Sequence, residues 1–120
     1  MTPIELMHSI NPATEEILES FRPHSSLEVE KTLLRATKTF NSWKNRPFSQ
    51  RTDLMQKAAA YLRQNKPRLA KIITAEMGKP IIEAEAEVEK CSWNCEYYAA
   101  NAERFLREEP RSSDASESYV

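Results

Sequence analysis

Cys91 and Cys95 stand four residues apart in a stretch that also carries Glu83, Glu85, Glu87 and Glu89. Thiols and carboxylates are the residue types of nucleophilic, metal-binding and acid–base chemistry. On a helix the two cysteines would have Cβ atoms about 5–6 Å apart. A disulfide needs about 3.5–4.5 Å, which disfavours an internal bridge. A metal site would need two further ligands, and the histidines, His8 and His24, lie far back in the chain. A nucleophilic thiol wants a base or an electropositive pocket, whereas Cys95 precedes Glu96. Both cysteines fall on an apolar stripe, where a free thiol behaves as a small hydrophobe, so the expectation is core packing.

The glutamates diverge. Residues two apart on a helix point about 200° from one another, so only alternate members of the series share a face. Glu83 and Glu87 do share one, and a solvated face near a helix N-terminus is the simpler reading than a catalytic pair. Trp43, Trp93, Tyr97 and Tyr98 lack the clustered cations of a single-strand binder, which leaves core and domain-contact roles. His8 and His24 receive no assignment. No catalytic, cofactor-binding or metal-binding residue is expected.

A single glycine, Gly78, occurs in 120 residues. Phosphate-cradling loops need several, because only glycine lets backbone approach a phosphate at positive φ without strain. A dinucleotide fingerprint or a P-loop is therefore excluded from this stretch. The chain is 40% hydrophobic and 29% charged with a net charge of −1, and its cations are spread rather than clustered. That balance gives no reason to expect nucleic acid or a membrane surface as partner. No apolar run approaches the roughly 20 residues of a bilayer span. The start, Met1-Thr2-Pro3-Ile4-Glu5, has no signal-peptide character, so a cytoplasmic protein is expected.

The elements that must position these groups are legible from local patterns. Residues 4–22 read as a β-hairpin: β-prone Ile4 to Ile10 and Ile17 to Phe21 flank the turn Asn11-Pro12-Ala13-Thr14-Glu15-Glu16. A helix over about 26–45 follows an N-cap at Ser25 with Glu28 in capping-box position, and Val29, Leu33, Ala36, Phe40 and Trp43 form its apolar face. Helices are expected over about 50–64 and 66–77, with Asn65 capping the second and Gly78 as a left-handed C-cap. The longest, about 80–106, has its apolar stripe at Ile81, Ala84, Val88, Cys91, Cys95, Tyr98, Ala102 and Phe105. Residues 107–120 read as a polar loop or frayed tail, ending where Tyr119-Val120 begins something β-prone. The fold class is α+β and mostly helical: an N-terminal β-hairpin followed by three or four helices.

Several of these segments, in order, resemble the N-terminus of NAD(P)-dependent aldehyde dehydrogenases. Ile10-Asn11-Pro12-Ala13-Thr14 is similar to the family's opening Asn-Pro-x-Thr turn, Phe40-Asn41-Ser42-Trp43 to the end of its first helix, and Glu76-Met77-Gly78-Lys79-Pro80 to a conspicuous pentapeptide. Ala86-Glu87-Val88-Glu89-Lys90-Cys91 and Tyr97-Tyr98-Ala99-x-x-Ala102-Glu103 look most like bacterial succinate-semialdehyde dehydrogenases. Glu117-Ser118-Tyr119-Val120 is similar to the segment leading into those enzymes' first cofactor-contacting strand. One residue departs: Glu15 stands where the family commonly has glycine, which would cost about 1 kcal/mol if the turn requires positive φ.

The resemblance implies that residues 1–106 are the N-terminal portion of the α/β aldehyde dehydrogenase fold, with the domain interrupted at 120. Such enzymes oxidise an aldehyde through a cysteine nucleophile, a glutamate base and an oxyanion-hole asparagine, passing hydride to NAD or NADP, and they are homo-oligomeric. All those residues lie beyond this chain, so the resemblance implies a truncated enzyme, inactive alone, that binds no cofactor itself and has the remainder of the domain as partner. Neither Cys91 nor Cys95 lies in the nucleophile motif. Glu83 and Glu87 match positions that edge the substrate entrance in relatives, which implies a funnel wall. Without the dinucleotide-binding sheet, several hundred Å² of apolar surface would stay wet, forfeiting on the order of 10 kcal/mol, so the isolated chain is expected to be molten, aggregation-prone or partner-dependent. The rival reading is an independent helical interaction module using helix 80–106. A third is association with a separately made remainder of the enzyme.

Overall fold

The computed structural model describes residues 5–110 together with 112 and 114. Expectations for Ile4 and for most of the tail, Tyr119 and Val120 included, lie outside the described residues. The order of elements is β1 (Met7–Ile10), β2 (Ile17–Phe21), α1 (Ser26–Trp43), α2 (Phe48–Gln64), α3 (Lys66–Met77) and α4 (Ile81–Phe105). This is the expected class: a mostly helical chain with an N-terminal hairpin.

β1 and β2 pair antiparallel, with Met7 opposite Phe21, His8 opposite Ser20 and Ser9 opposite Glu19. The next pair is Ile10 with Ile17, so Leu18 is the extra residue of a bulge. Asn11 folds the turn: its side-chain oxygen accepts from the Ala13 N–H at 2.9 Å and its carbonyl from the Glu15 N–H at 2.8 Å. Glu15 closes it in the left-handed region, at φ 61°. His8, unassigned on sequence, has Nδ1 2.8 Å from the Ser20 hydroxyl across the ladder.

α1 begins with a complete capping box. The Ser25 hydroxyl accepts from the Glu28 N–H, and the Glu28 carboxylate accepts from the Ser25 N–H at 2.7 Å. Arg22 donates to the same carboxylate at 2.5 Å. That contact, followed by the bonds from Ser25, holds the Glu28 carboxyl down to about 2. At the α2–α3 junction the expected role of Asn65 is reversed. Its side chain donates back to the Tyr61 carbonyl at 2.9 Å and makes no cap bond to α3, so it closes the earlier helix rather than opening the later one. Gly78 ends α3 at φ 70°, donating its N–H to the Thr74 carbonyl.

Helix packing centres on α2, α3 and α4, with β1 touching α3. α2 runs alongside α4 and α3 packs on α4's first half, while α1 docks on none of them to a comparable extent. Among the described residues the buried ones are all small or medium: Ala59, Ala70, Ala84, Val88 and Ser92. Small side chains let the helices approach closely, and Ser92 donates its hydroxyl to the Ala59 carbonyl at 2.9 Å inside that seam. Arg63 clamps the flank, donating to Glu89 at 2.7 Å and to both oxygens of Glu96, and Lys66 adds a bond to Glu89.

The larger apolar side chains are left outside. Leu33, Phe40, Met77, Trp93 and Leu106 are exposed, among many others. The chain has an accessible surface of 10178 Å², where a compact protein of its 13.9 kDa would have about 6,700 Å². Its radius of gyration is 21.1 Å, against about 14 Å for a compact chain of this length. Among the described residues no helix is long and apolar enough to cross a membrane.

Candidate functional site

α4 enters after a short link, Gly78-Lys79-Pro80, and carries the glutamate series through its first turns. The series separates as helical geometry requires. Glu89 turns toward α2, where Arg63 and then Lys66 hold its carboxyl below the usual range. Glu83 and Glu87 lie on the other side, one turn apart. Lys79 donates its Nζ to Glu87 Oε2, and that bond raises the lysine above its ordinary range, with the Glu87 and Glu83 charges adding to it. Glu83 is exposed and forms no hydrogen bond with the described residues. The face therefore holds one carboxylate hydrogen-bonded to Lys79 and one that meets the lysine through its charge alone.

A shallow cleft beside this pair is lined by Lys79, Ala86, Glu87, Lys90, Cys91 and Asn94. On its other side an apolar groove between α2, α3 and α4 is lined by Leu62, Leu69, Ile72, Ile73, Val88 and Cys91. Cys91 sits on the ridge between them. It is exposed and free, and Cys95 is half-buried and free, so the expected core packing of Cys91 is not found. The buried seam of α4 runs through Ala84, Val88 and Ser92 at steps of four, sharing Ala84 and Val88 with the expected stripe and departing from it at Ser92, where the stripe passes through Cys91. Ser92 falls outside the apolar stripe expected from the sequence. The recurrence of small residues at steps of four was the signal that could have found it.

Trp93, Tyr97 and Tyr98 are also exposed rather than core. Tyr97 meets Tyr98 edge-on, with ring centroids 5.5 Å apart, and Phe105 at 6.1 Å. Trp43 is half-buried at the end of α1. Among the described residues no three His, Cys, Asp or Glu side chains come together as a metal site. A Cβ built on Gly78 would lie 3.1 Å from Pro12 Cγ, so the proline ring packs closely against the glycine. The arrangement offers a charged rim beside an apolar groove.

The sequence model of the Aldehyde dehydrogenase family matches residues 2–120. A probable succinate-semialdehyde dehydrogenase of the NADP(+) type from Synechocystis is 43% identical over 112 residues, covering 93% of this chain and 25% of the relative. An NADP(+) succinate-semialdehyde dehydrogenase of Schizosaccharomyces pombe is 36% identical over 110 residues, covering 92% of this chain and 22% of the relative. Among solved structures, succinic semialdehyde dehydrogenase from Streptococcus pyogenes, in complex with NADP+, superposes with a TM-score of 0.87 at 30% identity, over 93% of this chain and 25% of that one. The chain thus spans about a quarter of the length of the relatives it matches.

Proposed function

The chain belongs to the aldehyde dehydrogenase family, and on that premise we propose that it is the N-terminal helical layer of a succinate-semialdehyde dehydrogenase. In this role it contributes surface and shape rather than chemistry. The observation that carries the reading is the pairing of a match over residues 2–120 with relatives four times as long. The wet faces of the hairpin, α1 and α4 are then the faces on which the rest of the domain packs. Aldehyde oxidation, with NADP as the cofactor named for the relatives, belongs to the assembled enzyme. So do the homo-oligomer and a cytoplasmic location. Glu83 and Glu87 form part of the wall of its substrate entrance. These 120 residues alone transfer no hydride.

A chimera tests this. The corresponding N-terminal segment of the Synechocystis relative is replaced by residues 1–110, and succinate-semialdehyde-dependent reduction of NADP(+) is followed. We expect a soluble chimera with activity within about tenfold of the parent, since volume-conserving repacking costs at most about 1.5 kcal/mol per site. A chimera that folds yet shows no activity would sink the reading. The independent interaction module is the second reading, favoured by the exposed aromatic face Trp93, Tyr97 and Phe105 on α4. It requires residues 1–120 to melt cooperatively on their own.

A further inference from the structure

We propose that the turn Asn11-Pro12-Ala13-Thr14 and the segment Glu76-Met77-Gly78-Lys79-Pro80 form a single clasp, in which Pro12 and Gly78 are positioning residues that hold the Lys79–Glu87 pair against α4. The use of that pair at a substrate entrance rests on the reading above, whereas the clasp itself rests on geometry.

The two segments are more than sixty residues apart in sequence and meet at two points. The first is the proline ring against the glycine. Gly78 is constrained twice over: its φ of 70° lies in the left-handed region, and a side chain there would come within 3.1 Å of Pro12 Cγ. The left-handed turn alone would accept an asparagine at modest cost. The packed ring adds a second demand, since it would have to give way by a few tenths of an ångström. The second point is the Ser9 hydroxyl, which donates to Glu76 Oε1 at 2.5 Å and ties β1 to the last turn of α3. The Asn11 side chain, accepting from the Ala13 N–H, fixes the turn that carries Pro12.

Lys79 follows Gly78 directly, in a link only three residues long between Met77 and Ile81. Its direction of departure is set by the Gly78 backbone, and its Nζ reaches Glu87 two turns into α4. The order of dependence therefore runs from Pro12 to Gly78, then to Lys79 and Glu87. Through Lys79 the clasp thus holds Glu87 by a hydrogen bond and Glu83 by charge alone.

The test is a lysine side-chain NMR titration of the chimera described above, in which residues 1–110 have the rest of the domain to pack on. In the unsubstituted chimera, Lys79 titrates above the ordinary lysine range, as its bond to Glu87 requires. Glu87→Gln sets the full size of the drop when the pair is lost. Pro12→Ala removes the ring carbon from Gly78 while leaving Lys79 and Glu87 untouched. It is expected to return Lys79 at least half of that way, and Gly78→Ala at least as far. Cross-strand contacts between Met7 and Phe21 report separately whether the hairpin persists. If it persists and Lys79 falls, the ring contact is the cause. If it melts and Lys79 falls, the effect belongs to the docked hairpin as a whole, the Ser9–Glu76 bond included, and the specific role of Pro12 is overturned. Lys79 keeping its elevated titration in Pro12→Ala, with the hairpin intact or melted, overturns the proposal. That failure would leave the chimera's activity result standing, so the two readings fail separately.

Discussion

Glu15 occupies the left-handed region at φ 61°, where a side chain costs about 1 kcal/mol relative to glycine. The strain falls on a two-stranded hairpin, which has little stability to spare. Glu15→Gly should therefore favour the closed hairpin by about 1 kcal/mol, roughly a fivefold change in the closed-to-open ratio. Cross-strand NMR contacts between Met7 and Phe21 measure it, and an unchanged or smaller closed population would show that the turn is not the weak point. This strain was legible in the sequence, because a turn residue is judged against its own backbone. Cys91 was not: exposure depends on the direction from which α2 approaches, and a shift of one residue along α4 exchanged it for Ser92. The periodicity of an apolar stripe locates a face to within about 100°, the angle between neighbours.

The helices and the hairpin were readable because their start and stop signals are local. Ser25 with Glu28, Pro80 ahead of α4 and Gly78 at the end of α3 each act within a few residues. Asn65 misled, since an asparagine between two helices has unpaired carbonyls behind it as well as amides ahead, and here the carbonyl of Tyr61 won. Pairing between elements was not legible. Arg63 reaches Glu96 across 33 residues, and nothing local announces it. Arg63→Ala should lower the melting temperature of the α2–α4 pairing, with the difference shrinking in high salt. The screening length falls from about 10 Å at 0.1 M to about 3 Å at 1 M. Arg63 holds the Glu96 and Glu89 carboxyls below their usual range, with Lys66 aiding at Glu89. Groups depressed in the folded state contribute above the ordinary carboxylate range and lose that contribution as pH falls through their folded values. Parent and variant should therefore converge on acidification, and circular dichroism melts across pH check this. A difference that persists in acid and in salt would assign the clamp to packing of the arginine stem instead.

At the scale of the whole chain, the excess of surface over a compact protein is the dominant fact. A few hundred Å² of wet apolar surface, at about 25 cal/mol per Å², equals the net stability of an ordinary small domain. Residues 1–120 alone should therefore bind a hydrophobic dye and melt broadly, keeping helical circular dichroism as fixed side-chain signals fade. A sharp, dye-silent transition of a monomer would contradict this. The same fact explains why the fold was easier to read than its use. Faces and caps are properties of segments, whereas the surfaces that would give them purpose belong to a chain roughly four times longer, as in the relatives.

The capping box at Ser25 also has a meaning in time. In the proposed enzyme, α2, α3 and α4 can pack together as soon as α4 has been synthesised. α1 finds no comparable docking surface among the described residues, so in that enzyme its partner is made later, each further hundred residues taking about 5–20 s at about 5–20 residues per second. An 18-residue helix is near the lower limit of what survives in water unaided. Arg22, Ser25 and Glu28 bias the segment toward helix from its own first turn, so it can stay poised through synthesis until its partner surface arrives.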